Sequence, residues 1–463
     1  MLSTLAIILS LALLMYFAYR GYSVLILAPL MAILAVTLSG DFLVSLPLYT
    51  TVFMKALSGF LLKFFPIFLL GALFGQLMAD SGAATAIART VVNKLGSDKA
   101  ILAVVLVCSI LTYGGVSLFV VAFAIYPIAK DLFKAAQVPK RLIPGAIALG
   151  SFTYTMTSLP GTPAIQNAIP IPYYGTNAFA APILSIIGSL VMFGLGMLWL
   201  RRSAAKAKLA GEGYGIHADD DIHADKLDTH NVSFAVAMIP LILVIAINAL
   251  LTYVVFPSID FTALTAKFPE LDIKGSLGLW SIIIALITAI ITLLVLTVGK
   301  WHNLQDSINK GTYSSMLPIF NTGSEVGYGA VIATLAGFAV LRDSVLNLAP
   351  NNPLISEAVA MTTLAGITGS SSGGLSIALP ILGKEYLARA VAAGIDPELL
   401  HRVAVMAAGG LDSLPHCGAV ITLLSICHLT HRQSYKDIAV ITMAIPLVAV
   451  ALVIMLGTMF GSF

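Results

Sequence analysis

The sequence predicts an all-α polytopic membrane protein made of two inverted repeats, each with a re-entrant hairpin and a broken transmembrane helix. Three observations predict it. Only 10% of the 463 residues are charged, 25 basic and 22 acidic, and 59% are hydrophobic; an ordinary soluble domain carries about 25% charged residues. Apolar stretches of membrane-crossing length recur along the chain. Two further apolar regions, about 113–175 and 366–430, are interrupted by Gly, Pro, Ser and Thr at corresponding places. This composition excludes a soluble globular enzyme, a disordered chain and a nucleic-acid binder, and the net charge of +3 implies no polyanionic partner.

The candidate spans, in order, are 2–18, 22–39, 57–79, 100–112, 178–200, 233–256, 278–298, 326–348 and 438–460. The first has no basic residue ahead of it and its first charge is Arg20, the reverse of a secretory signal, so it reads as a retained span. Cys108, Cys417 and Cys427 lie in apolar stretches without metal-ligand spacing, so neither a disulfide framework nor a metal site is expected. No nucleotide-binding signature is present, and no cofactor is expected.

Three short matches recur in the same order at nearly one offset. Pro66–Gly71 matches Pro318–Gly323, Gly114–Ser117 matches Gly373–Ser376, and Ser158–Gly161 matches Ser413–His416. Together they indicate a duplication. The halves are 1–200 and 233–463. Their hairpins fall at about 114–136 and 371–393, and their broken helices at about 141–175 and 401–430. The turns Pro139-Lys140-Arg141 and Asp396-Pro397-Glu398 read as polar ends of re-entrant segments. The linker 201–232 holds 11 of the charges and opens on Arg201, Arg202, Lys206 and Lys208, which places it in the cytoplasm. Its run from His217 to Asp225 reads as solvated linker in preference to a metal cluster.

Non-helical backbone at membrane depth is tolerated only where protein or a water-filled cavity satisfies it, and two such regions in corresponding places point to a transport site. A helix broken in mid-membrane exposes N–H groups suited to an anion. The first break carries Thr157, Ser158, Gly161 and Thr162, followed by Gln166 and Asn167; the second carries Asp412, Ser413 and His416. The hairpin tips offer Gly114, Gly115 and Ser117, and Ser370, Ser371, Ser372, Gly373 and Gly374, whose hydroxyls and flexible backbone suit a carboxylate. Asp412, His416 and Glu325 have no ionisable counterparts in the first half. Ionisable groups at membrane depth are expensive, so these three are proton-coupling candidates, and Asp412 and His416, four residues apart, are placed to pair.

These segments resemble the gluconate:proton symporter (gluconate permease) family of the ion-transporter superfamily. The stretches Gly369–Leu379 and Gly410–His416 are most similar to its 3-hydroxybutyrate permease branch. The resemblance implies a homodimer in a bacterial inner membrane, with a scaffold and a moving transport domain in each protomer and a central site that alternates by an elevator-like shift. The activity expected is uptake of a small hydroxylated monocarboxylate, 3-hydroxybutyrate or a related hydroxy or sugar acid such as gluconate, together with a proton. The hairpin serines and half-helix N-termini would hold the carboxylate. Thr157, Ser158 and Asn167 would bind the hydroxyl, with Asp412 and His416 taking the proton. A sodium-coupled carrier of di- or tricarboxylates is the rival on the same fold, disfavoured because no Lys or Arg is evident near the breaks. An intramembrane serine hydrolase using Ser371 or Ser413 with His416 and Asp412 is remote, since GxSxG is lacking.

Overall fold

The computed structural model describes residues 2–217, 232–270 and 272–462, and every regular element among them is helical. The linker run Asp219–Asp225 lies outside the described residues.

The elements follow the apolar pattern. Helices α1 (Leu2–Tyr19) and α2 (Val24–Leu38) open the chain. α3 (Met54–Asp80) continues a helical path that begins at Phe42, giving 39 residues. There follow α4 (Ala83–Leu95), α5 (Ala100–Tyr113), α6 (Leu118–Ala135), α7 (Ile143–Ser151) and, after the first break, α8 (Pro182–Leu209). α9 (Phe234–Leu250) and α10 (Ile273–Leu296) lead into the second half. This half holds α11 (Leu304–Thr334), α12 (Ala336–Leu346), α13 (Pro353–Thr368), α14 (Ser371–Ala392) and α15 (Pro397–Ala408). After the second break come α16 (Gly418–Ile426), α17 (His431–Ala439) and α18 (Ile445–Phe460), the last two joined by a π-helical turn.

The order from α3 to α8 repeats from α11 to α18: a long Pro-containing helix, a short helix, two hairpin limbs, a half-helix, a break and a closing helix. The long helices α3 and α11 pack on each other. Glycines of α11 make the close approach possible, since a Cβ at Gly311 would stand 2.9 Å from the Leu73 backbone and one at Gly327 2.9 Å from the Phe53 ring. A smaller core joins α1, α2 and the α11–α12 corner, where the Ser10 and Tyr328 hydroxyls bond at 2.9 Å.

Four expectations change. The stretch 326–348 is not one span, because the chain bends by 102° between α11 and α12. Gly337 is pressed against the Thr4 backbone and its N–H donates to Ser3 Oγ at 3.0 Å, so α1 sets the corner. The stretch 100–112 is α5, 14 residues long and about 21 Å at 1.5 Å per residue, too short to cross alone; it is the first limb of a hairpin whose second limb is α6. The hairpins are therefore α5–α6 and α13–α14, and the ranges 114–136 and 371–393 hold only their second limbs. Finally, α8 runs on to Leu209, so Arg201, Arg202, Lys206 and Lys208 form the end of a helix and the linker starts later.

The turn at 139–141 also differs from a free polar loop. Lys140 is buried, and the Arg141 guanidinium reaches Glu212 at 2.9 Å and Asp437 at 3.0 Å. Asp437 additionally accepts from Trp199 Nε1 at 2.9 Å and Ser203 Oγ at 3.1 Å, tying α8 to α17.

Candidate functional site

The second hairpin tip is built by local chain chemistry. Gly369 ends α13 in the left-handed region at φ 63°, where a side chain would be strained. Ser370 caps α14 by accepting from Gly373 N at 3.1 Å, and its hydroxyl lies 3.1 Å from that of Ser372. The tip is thus a capped helix start; Ser370 serves the fold, not an open nest of N–H groups. Gly374 lets the limbs touch: a Cβ there would stand 2.5 Å from Ala365 N.

Three ionisable groups converge on this tip. Asp412 accepts from Ser413 Oγ at 2.8 Å and lies near the Ser371 hydroxyl. The His416 ring lies against Gly369, 3.0 Å from where a Cβ would stand, and faces the backbone at Gly366 and Ile367. Asp412 and His416 therefore reach the tip by separate contacts, in place of the pairing suggested by their spacing. Glu325, on α11, is buried with its carboxyl directly over Gly373; its Oε2 has no hydrogen-bond partner among the described residues.

The two halves meet here. Gln166, just after the first break, donates through Nε2 to Ser371 Oγ at 3.2 Å. This bond joins the second tip to the first break.

The first tip is simpler. Gly114 lies under Leu241 of α9, and Gly115, at φ 100°, lies under Pro163, where a Cβ would meet the ring at 2.9 Å. Tyr113 Oη donates to Pro160 O at 2.8 Å, linking tip and break. Ser117 precedes α6 without capping it.

The polar groups of the first break largely face inward. Thr157 Oγ1 donates to Thr153 O at 3.1 Å, and Ser158 Oγ donates to Ser185 O at 2.8 Å. Asn167 Nδ2 donates to Thr162 O and Ala178 O, and its Oδ1 bonds His401 Nε2 at 3.2 Å. Thr162 Oγ1 accepts from Ala164 N at 3.4 Å, and Gly161, at φ 81°, lies under the Phe179 ring. In this conformation Thr157, Ser158 and Asn167 hold the break in shape, and their bonds are made within the protein.

Sequence reasoning missed the residues that brace this break from α15. Arg402, 0% exposed, donates through Nη1 to Thr157 O at 3.2 Å and through Nε and Nη2 to Ala180 O at 3.3 and 3.1 Å. Glu398 Oε2 accepts from Ala181 N at 2.9 Å, and His401 Nδ1 bonds Thr176 Oγ1 at 2.6 Å. A buried cation therefore stands at the first break, against the expectation that none does. The available signal was Glu398, His401 and Arg402 at helical spacing in an otherwise apolar segment. Lys63 of α3 was likewise overlooked; its ammonium lies over the Tyr173 ring at 5.4 Å.

No group of three or more metal-ligating side chains occurs among the described residues.

The model of the GntP family permeases matches residues 1–384. The chain is 46% identical over 453 residues to the uncharacterized transporter YxjC of Bacillus subtilis, covering 94% of this chain and 95% of that one. It is 30% identical over 131 residues to the gluconate permease of Bacillus licheniformis, covering 28% of this chain and 26% of that one. Among solved structures, the YdaH transporter of Alcanivorax borkumensis, described as having an unusual topology, superposes with a TM-score of 0.55 at 15% identity, covering 90% of this chain and 88% of that one. The matched family and these relatives are transporters. Long apolar helices, bent helix pairs and the family match together place this multi-pass membrane protein in the GntP family of permeases.

Proposed function

We propose that the protein is a proton-coupled symporter of a small hydroxylated monocarboxylate, 3-hydroxybutyrate or a related hydroxy or sugar acid such as gluconate. The observation that carries the reading is the convergence of Asp412, His416 and Glu325 on the tip Gly369–Gly374, with Ser371 linking it to the first break. A carboxylate substrate would be held at the second tip by the Ser371 and Ser372 hydroxyls and the start of α14. Gly114, Gly115 and Ser117 at the first tip would complete the pocket. Asp412 and Glu325 would take the coupling proton: an ionised carboxylate without a counter-cation in a buried site is costly, and a proton removes its charge. One proton carried with one monoanion moves no net charge.

In this reading the hairpins, the breaks and α15 travel as one unit. Gln166–Ser371, Asn167–His401 and Thr157–Arg402 all cross between the halves and support such rigidity. An elevator-like shift against α3 and α11, a homodimer and a bacterial inner-membrane location complete the proposal.

One observation favours a second reading. Arg402 places a fixed cation at the first break, and a second positive group is what a sodium-coupled carrier of di- or tricarboxylates would use. Uptake of labelled 3-hydroxybutyrate into proteoliposomes, with an inward proton gradient and no sodium, tests both. Saturable uptake that collapses with the gradient and ignores citrate is expected. Uptake that needs sodium, or competition by citrate, would overturn the proton-coupled reading in favour of the second.

A further inference from the structure

Glu357 lies on α13, twelve residues before the tip glycine Gly369, which is about 18 Å along the helix at 1.5 Å per residue. It is 0% exposed. Its Oε1 accepts from the Tyr174 hydroxyl, and its Oε2 is enclosed without a hydrogen-bond partner among the described residues. Among the described residues no cation pairs with it. Tyr386 of α14 directs its hydroxyl to Ser356 O at 3.2 Å, and Arg389 on the same helix binds Glu385 and Leu346 O. On α15, Glu398, His401 and Arg402 are all engaged at the first break. Arg342 of α12 pairs with Asp343, and α18 carries no ionisable residue.

An ionised carboxylate in this place would hold a charge with one tyrosine hydroxyl for company, whereas the neutral acid leaves one uncharged O–H donor unpaired, a smaller cost. We propose that Glu357 is a proton-binding site inside the moving unit, separate from the acids at the second tip. The inference deepens the proton-coupled reading and rests on it. Tyr174 belongs to the segment that closes the first break, so any rearrangement of that break changes the one hydrogen bond Glu357 has. A rearrangement that brings water or a new donor to Oε2 would let the proton leave. Its affinity would then depend on the conformation, which is the requirement for coupling a proton to a substrate it does not touch.

The test uses the full-length protein in proteoliposomes, with labelled 3-hydroxybutyrate as probe. Two rates are compared for wild type and Glu357→Gln: accumulation driven by a pH gradient, and exchange of labelled for unlabelled substrate at equal pH. The proposal expects accumulation to fall at least about tenfold while exchange stays within about twofold, because the amide mimics the neutral acid but cannot release a proton. Accumulation at the wild-type level overturns it. So does equal loss of both rates in a variant that folds, since a purely structural role predicts that result. Infrared difference spectra of the purified protein across a pH titration give an independent readout. A carboxylic C=O band that titrates in wild type and is missing in Glu357→Gln supports the site, and an unchanged band overturns it. If the wild type itself fails to respond to a pH gradient, the symport reading falls while this spectrum still decides the proton site.

Discussion

Arg402 and Glu398, one turn apart on α15, grip opposite sides of a single peptide: Arg402 donates to the Ala180 carbonyl and Glu398 accepts from the Ala181 N–H. Ala181 takes up φ 45°, a region a non-glycine residue enters only when held there. The first break is thus shaped by the second half of the chain, across more than 200 residues of sequence.

Removing the guanidinium takes the side-chain donor from the buried Thr157 carbonyl and leaves the Ala180 carbonyl with the Ser185 hydroxyl at 3.0 Å. Arg402→Ala is expected to destabilise the protein by about 3 kcal/mol or more. Arg402→Lys should recover only part of this, because a point ammonium cannot span both carbonyls as the fork does. Thermal unfolding in detergent measures the order, wild type above Lys above Ala. A Lys variant as stable as wild type would show that the fork geometry is not needed.

Asp412→Asn and Glu325→Gln test the coupling residues. Both amides keep the shape and remove the titrating group, so uptake driven by a proton gradient should fall by about tenfold or more in at least one of them, with equilibrium exchange retained. Gradient-driven uptake at wild-type level in both would remove these acids from the mechanism.

Much of this was legible in the chain because glycine and proline act locally. The tips at Gly114 and Gly369–Gly374 and the breaks at Ser158-Leu159-Pro160 and Ser413-Leu414-Pro415 announce themselves through backbone freedom and missing donors, and the structure interrupts its helices there. Tertiary causes stayed hidden. The corner at Leu335 lies in a stretch whose hydropathy runs on unbroken, and the residues that impose it, Ser3 and Thr4, are at the far end of the chain. Arg402 sits in the apolar stretch Arg402–Ala408, and only its distant carbonyl partners reveal what it does. The hydroxyl of Ser158 looked free for substrate because its acceptor, the Ser185 carbonyl, belongs to the next helix.

The glycines of the repeat divide sharply by environment. Gly71, in the repeated motif of α3, has nothing within 4 Å of its Cβ position, whereas a Cβ at Gly374 would stand 2.5 Å from the Ala365 backbone nitrogen. Gly71→Ala should therefore be neutral or stabilising by up to about 1 kcal/mol, through helix propensity alone. Gly374→Ala must push the hairpin limbs apart and should reduce uptake severely even where the protein reaches the membrane. Parallel expression and uptake assays separate the two outcomes. Loss of uptake in Gly71→Ala would mean that this face of α3 meets a surface in the working transporter.

Ser371 makes the last case, because it belongs to the second tip and is bonded from the first break. Gln166 donates to it at 3.2 Å and Asp412 lies near its hydroxyl, so a change in either break can reach the other through one side chain. If this link acts during transport, Gln166→Ala and Ser371→Ala should not be additive. Each alone should weaken apparent substrate affinity, and the double variant should be little worse than Ser371→Ala, with a coupling energy of about 1 kcal/mol. A concentration series of uptake for the four proteins gives the cycle. Additive losses would mean that Gln166 and Ser371 serve the two breaks separately, and the junction between halves would then rest on the α15 contacts with Asn167, Thr157 and Ala180.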